Sequence, residues 1–135
     1  MKDAIDVIID IRSLINVPEV TSLINGGIFQ TERPSKRTGL SDIIINCSSV
    51  TNNQDQTARV NVAVYWPNLS SDLADQVNLT RVGKVVASYL DSRWMEEFRT
   101  EIEKDGGVIV KDADGSNFYN IRCVYRSIQD NYKNI

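Results

Sequence analysis

The chain has 135 residues, 41% hydrophobic and 24% charged, with a formal net charge of −3 and a sequence pI near 4.9. That length and composition suit one domain, residues 1–135, with a core large enough to fold without disulfide or metal. Histidine is absent, which removes Ser-His-Asp and Cys-His catalysis and nearly all catalytic zinc arrangements. The acidic balance argues against a tight grip on duplex DNA.

The longest apolar run, Val62 to Trp66, falls far short of the ~20 residues of a membrane-spanning helix. The opening Met-Lys-Asp-Ala-Ile-Asp lacks the apolar centre of a secretory signal, so the chain is expected in the cytoplasm of the cell that makes it. Cys47 and Cys123 lie far apart, with no CxxC motif. They read as reduced strand cysteines, with a bridge between neighbouring strands left open.

From Asp3 to Asn16, apolar Ile5, Ile8, Ile9, Ile11 and Ile15 recur at spacings of three and four, which predicts a helix. Val17-Pro18 ends it, because the residue before proline avoids helical backbone. Thr21 to Asn25 adds one turn, Gly26-Gly27 breaks the chain, and Ile28-Phe29 start a short strand. The stretch "QTERPSKRTGLS", about residues 30–41, is predicted to be a solvated, mobile loop. Its Arg33, Lys36 and Arg37 are candidate contacts to a neighbouring subunit or to nucleic acid.

Asp42 to Val50 and Arg59 to Trp66 read as two strands of a hairpin, linked through polar residues Thr51 to Thr57, where Asn52-Asn53 favours a left-handed turn. Val60, Val62, Val64 and Trp66 share the buried face. Pro67 stops the ladder, Ser70 or Ser71 caps a following helix, and Asp72 suits its positive end. Between Asp72 and Arg93 the apolar residues form two stripes, Leu69, Leu73 and Val77 against Leu79, Val82, Val86, Tyr89 and Leu90. At about 100° per residue these lie on opposite sides. Either the helix breaks near Asn78, or one helix buries the second stripe and offers the first to a partner, and the second arrangement is the one expected. Gly83 and Ala87 leave a flat strip on it.

Trp94, Phe98 and Ile102 continue at helical spacing to Lys104, with Glu96 to Asp105 as a solvated face of paired charges. Asp105-Gly106-Gly107 ends that segment. Val108 to Lys111 and Asn117 to Ser127 form a last hairpin around Asp112 to Ser116, with Tyr119, Ile121, Cys123 and Tyr125 inward. Residues 129–135 are polar and expected to fray. The order predicts an α+β fold, a largely antiparallel sheet of four to five strands with helices on one face.

No reactive constellation emerges. Asp112, Asp114 and Gly115 fail as a calcium loop because the twelfth position is Cys123. "INGGIF" lacks the Lys-Ser/Thr of a phosphate loop. The expectation is no catalytic, cofactor-binding or metal-ligating residue, and no cofactor.

The stretches "LINGGIF" after an N-terminal helix, the long polar loop, "VNVAVYWPN" leading into a helix, and the final hairpin resemble the small tail-terminator and tail-to-head joining proteins of long-tailed bacteriophages. The resemblance covers about residues 1–127. It implies a structural protein that forms a ring, commonly a hexamer, on the tail tube. Its partners would be its own copies, the tail tube protein and the head connector, with DNA only passing through the lumen and no membrane involved. The chain would be made in the host cytoplasm and reside in the tail or neck of the virion. Leu69, Leu73 and Val77, with Arg33, Lys36 and Arg37, would serve subunit or partner contacts. The rival readings are a small α+β ligand-binding domain or enzyme of unknown substrate, and a nucleic-acid binder using the basic loop.

Overall fold

A computed structural model describes residues 2–51 and 56–127. The Asn52-Asn53 turn and the fraying expected at 129–135 lie outside them. Asp3 and Asp6 begin the first helix reciprocally, each carboxylate accepting from the other's backbone N–H at 2.8 and 3.1 Å. Helix α1 (Ala4–Ile15) buries Val7, Ile8, Ile11, Leu14 and Ile15. Ile5 and Ile9 are about half exposed, so the buried stripe is turned away from the one predicted. Pro18 opens a single turn, α2 (Pro18–Thr21), where a missing N–H costs nothing.

Strands β1 (Ile28–Gln30), β2 (Ile43–Val50) and β3 (Thr57–Trp66) precede helix α3 (Gln76–Leu90); β4 (Arg93–Trp94), β5 (Phe98–Lys111) and β6 (Asn117–Ser127) follow it. They form one six-stranded sheet in the order β1-β2-β3-β6-β5-β4, parallel between β1 and β2 and antiparallel elsewhere. The α+β class is as predicted; the strand number exceeds four to five. Val60, Val62, Val64, Ile121, Cys123 and Tyr125 point from the sheet into the core, against Val82, Val86 and Leu90 of α3 and the buried face of α1. Among the described residues, no helix packs on the opposite face.

Two helical expectations are corrected. Residues 93–94 and 98–104 lie in strands β4 and β5, joined by a turn at 95–97, because Phe98, Thr100 and Ile102 alternate inward with Arg99, Glu101 and Glu103. Phe98 stacks on Tyr125 at 5.1 Å, and the buried Thr100 hydroxyl donates to the Leu90 carbonyl at 2.7 Å. A spacing of four fits a strand as well as a helix, which is how Trp94, Phe98 and Ile102 misled. The helix predicted from Asp72 starts instead at Gln76, capped by Asp75, whose carboxylate accepts from the Asn78 N–H at 3.2 Å. Leu69 to Leu73 close a turn of their own, the Leu69 N–H donating to the Leu73 carbonyl at 2.8 Å. Neither Ser70 nor Ser71 caps a helix, and the two stripes do not share one.

The flat strip expected at Gly83 is filled from within the domain, where Gly83 is buried. A Cβ there would lie 2.3 Å from Tyr119 Cδ1, and one at Gly107 would lie 2.0 Å from the Tyr119 hydroxyl. The Tyr119 ring thus occupies space that two glycines vacate, one on α3 and one on β5. Gly83→Val should cost roughly 1–3 kcal/mol through overpacking, read as a lower denaturant midpoint at unchanged slope. Adding Tyr119→Ala should make the pair less than additive; full additivity would refute this packing.

Candidate functional site

Three segments meet at one end of the sheet: the loop after β1, the residues between β3 and α3, and the β5–β6 turn. The first is organised by Asp42, whose side chain is fully buried. Arg33 Nε donates to Asp42 Oδ2 at 3.0 Å; Arg37 donates through Nε to Oδ2 and through Nη2 to Oδ1, both at 2.9 Å. The Gly27 N–H donates to Oδ1 at 2.9 Å. Arg33 Nη2 also donates to the carbonyls of Arg37 and Leu40, which ties the loop back on itself. Each guanidinium lies over a ring, Arg33 at 4.2 Å from the Tyr65 centroid and Arg37 at 4.8 Å from that of Phe29.

This corrects the expectation that all three loop cations stand in solvent. Arg33 and Arg37 keep 10% and 23% of their side-chain exposure; Lys36 is exposed, on left-handed backbone. Burial alone would raise the Asp42 pKa, but the hydrogen bonds from Arg37, Gly27 and Arg33 outweigh it and hold the carboxyl below its ordinary range. Gly26 is required by close approach: a Cβ there would sit 1.9 Å from Asp42 Oδ1. Asn25 accepts from the Ser41 N–H and hydroxyl at 2.7 and 2.8 Å, so the two ends of the loop are pinned together.

The Tyr65 hydroxyl donates to Asp112 Oδ2 at 2.8 Å, and burial, followed by that bond, raises its pKa. The turn beyond Asp112 places Gly115 at φ +87° and gives its carbonyl to Asn68 Nδ2 at 2.9 Å; Asn117 Nδ2 donates to Asn68 Oδ1 at 2.9 Å. The segment carrying Leu69 and Leu73 is therefore fastened to the β5–β6 turn. Leu69, Leu73 and Val77 are 65%, 56% and 78% exposed. They form an uncovered apolar set, on a turn and the first residues of α3 rather than on one helical stripe.

Among the described residues, no group of three or more His, Cys, Asp or Glu is placed to hold a metal ion. Cys47 and Cys123 are free thiols. No helix of the described residues is long and apolar enough to cross a membrane. Sequence reasoning missed Asp42 as an organising group. Its signal was a lone acid opening the apolar run Ile43-Ile44-Ile45, just after a loop holding two arginines. No protein-family model matches the chain, and no curated protein matches it in sequence.

Asp42→Asn leaves two guanidiniums without their buried counter-charge and should cost roughly 3–5 kcal/mol. The sign with pH follows from a folded carboxyl held below its unfolded value of about 4. The stabilisation is fully present above that pH and fades as pH falls below it. Thermal melts stepped from pH 7 into acid should show a steep loss in the parent protein and a shallower one in Asp42→Asn. A variant as stable as the parent at pH 7 would sink the assignment.

Proposed function

We propose that this chain is a structural tail protein of a long-tailed phage or prophage, acting as a ring that caps the tail tube and joins it to the head connector. The observation that carries the reading is the apolar set Leu69, Leu73 and Val77, uncovered on a domain whose core is already complete. Such a set is a liability on a free monomer and ordinary at an assembly contact. A ring needs a head-to-tail contact, in which this set meets a different surface of the next copy. The hexamer is the ring size the sequence resemblance implies. A net charge of −3 suits a lumen through which DNA passes without being held. Lys36, on the loop braced by Arg33 and Arg37, stands toward the tail tube protein or the connector. The work is done by shape, in the virion neck, and calls on no cofactor.

One observation favours a second reading as a small ligand-binding domain. The helix-free sheet face holds a depression of about 540 Å³, lined by Arg33, Tyr65, Asn46, Asn61 and Asn120 among others. A soluble ligand that raises the melting temperature of a strictly monomeric chain would favour it.

Light scattering coupled to size exclusion, with negative-stain imaging, tests the ring; a monodisperse monomer at all concentrations would overturn it. Leu73→Asp should abolish the ring by placing an unpaired charge in a buried contact. It should leave the monomer's melt nearly unchanged, within about 0.5 kcal/mol, as for exposed positions generally.

A further inference from the structure

The outer edge of β5 carries a second interaction surface, legible from its hydrogen-bond register. The Asp112 N–H donates to the Ser116 carbonyl at 2.7 Å, so Asp112 and Ser116 form a hydrogen-bonded pair. The register then runs without a shift through Lys111↔Asn117, Val110↔Phe118, Ile109↔Tyr119, Val108↔Asn120 and Gly107↔Ile121. In an antiparallel ladder, bonded and non-bonded pairs alternate. Val108 and Val110 therefore spend their backbone groups on β6, while Gly107, Ile109 and Lys111 point theirs outward. The rest of the strand obeys the same alternation. On the outward side, the Phe98 carbonyl accepts from the Met95 N–H at 2.8 Å, and the Ile102 N–H donates to Asp91 Oδ1 at 3.1 Å.

Before the bulge, then, the outer edge is occupied: β4 pairs at Arg99 and Thr100, and Asp91 takes the next N–H. After it, no described strand pairs with residues 107–111 on that side. Apart from Lys111 at its end, the side chains there are apolar, Val108 and Val110 being 50% and 37% exposed on the helix-free face. Proteins normally blunt such an edge with charge, proline or brevity. β1, at the other end of the sheet, is three residues long, and β4 is two.

We infer that this edge pairs antiparallel with the same edge of a second copy, about a two-fold axis through Ile109. The stretch complements itself in every respect the register fixes. With Ile109 opposite Ile109 of the second copy, Gly107 falls opposite Lys111 and Lys111 opposite Gly107, so all three outward residues meet outward residues. Val108 and Val110 fall opposite each other on one face, making a continuous apolar cluster across the joint. The two Lys111 side chains lie at opposite ends, each facing a glycine, so no like charges oppose. The Lys111 ammonium also donates to the Asp72 carbonyl at 3.2 Å. The turn carrying Leu69 and Leu73 thus abuts the end of this edge, and the two uncovered apolar features of the loop end are neighbours. A two-fold contact of this kind is distinct from the head-to-tail contact that closes a ring. It stands whether or not the ring does.

The test compares the full chain with two variants. Ile109→Pro removes an outward N–H that β6 does not use; Val108→Lys with Val110→Lys puts charge on the apolar joint. The parent protein should have a solution mass that is an even multiple of 15.2 kDa, and each folded variant should halve it. Amide exchange gives the specific signature: in the parent, the N–H groups of Gly107, Ile109 and Lys111 are protected, and in the double lysine variant they exchange at least about tenfold faster. Those of Val108 and Val110 stay slow in both. If Ile109→Pro fails to fold, the exposed lysine pair decides alone. A monomeric parent, an unchanged mass in the lysine variant, or fast exchange at Ile109 in the parent overturns the inference. Leu73→Asp separates the two contacts: a protein that loses its ring yet keeps an even mass and a protected Ile109 retains this contact, whereas loss of Ile109 protection with the ring would refute an independent one.

Discussion

The loop end of this protein rests on a buried carboxylate. Withdrawing Asp42 from water costs several kcal/mol on its own, and the fold offsets that with two guanidiniums and a backbone N–H, all within 3.0 Å. Each donor is held in turn. Gly27 is placed by a neighbouring glycine that leaves room for the carboxylate, and the arginines are held by the carbonyls and rings they touch. Through Arg33 the cluster reaches Tyr65, through Tyr65 it reaches Asp112, and the turn beyond Asp112 holds Asn68. A chain of contacts thus connects the loop after β1 with the segment that displays Leu69 and Leu73. An apolar contact surface needs that kind of backing, since ordering a loose turn on binding would draw on the binding energy.

The core was legible because its signals are periodic. Val60, Val62 and Val64 alternate cleanly, and Ile121, Cys123 and Tyr125 do the same; one face of a sheet writes itself into every second residue. Val82, Val86 and Leu90 mark the buried side of α3 equally well. Where two periods share a spacing, the reading failed: Trp94, Phe98 and Ile102 are four apart, which a helix and a strand both satisfy. The decisive hint was Thr100, a β-branched polar residue that a strand accommodates and that here satisfies the last turn of α3. The start of α3 was misplaced for a different reason. Serine, aspartate and asparagine all cap helices, and the run from Ser70 to Asp75 offered more candidates than the one the fold uses.

The loop end was least legible, because its organising contacts are neither periodic nor local. Arg33, Arg37 and Asp42 read as loop cations and a strand-opening acid until the chain brings them together. A composition argument treats charged loop residues as solvated, and that holds only where no opposite charge is buried within reach. Leu69, Leu73 and Val77 fared better: the inference that they were surplus to the core survives, although the continuous helix it was built on does not. Leu79, Val82, Val86 and Leu90 alone supply the large apolar residues on the buried side of α3, which leaves Leu69, Leu73 and Val77 outside it.

The uncovered surface is not spread evenly. Val108 and Val110 line an unpaired edge, Lys111 links that edge to Asp72, and Leu69 and Leu73 flank Asp72 on the turn before α3. The short outer strands, β1 and β4, end the sheet elsewhere with three residues and two. The outer side of residues 46–50 on β2 also lacks a described strand neighbour, but only at the β5 corner do two exposed valines lie beside backbone groups that no described strand takes up. Where one strand extends another sheet, the backbone hydrogen bonds supply affinity and the alternate side chains supply specificity, and both kinds of group are present on this edge. The Asp42 loop pairs its one buried carboxylate with two guanidiniums, so those charges are met internally, whereas Asp72 and Lys111 at the corner stay exposed and lie close enough to offset each other.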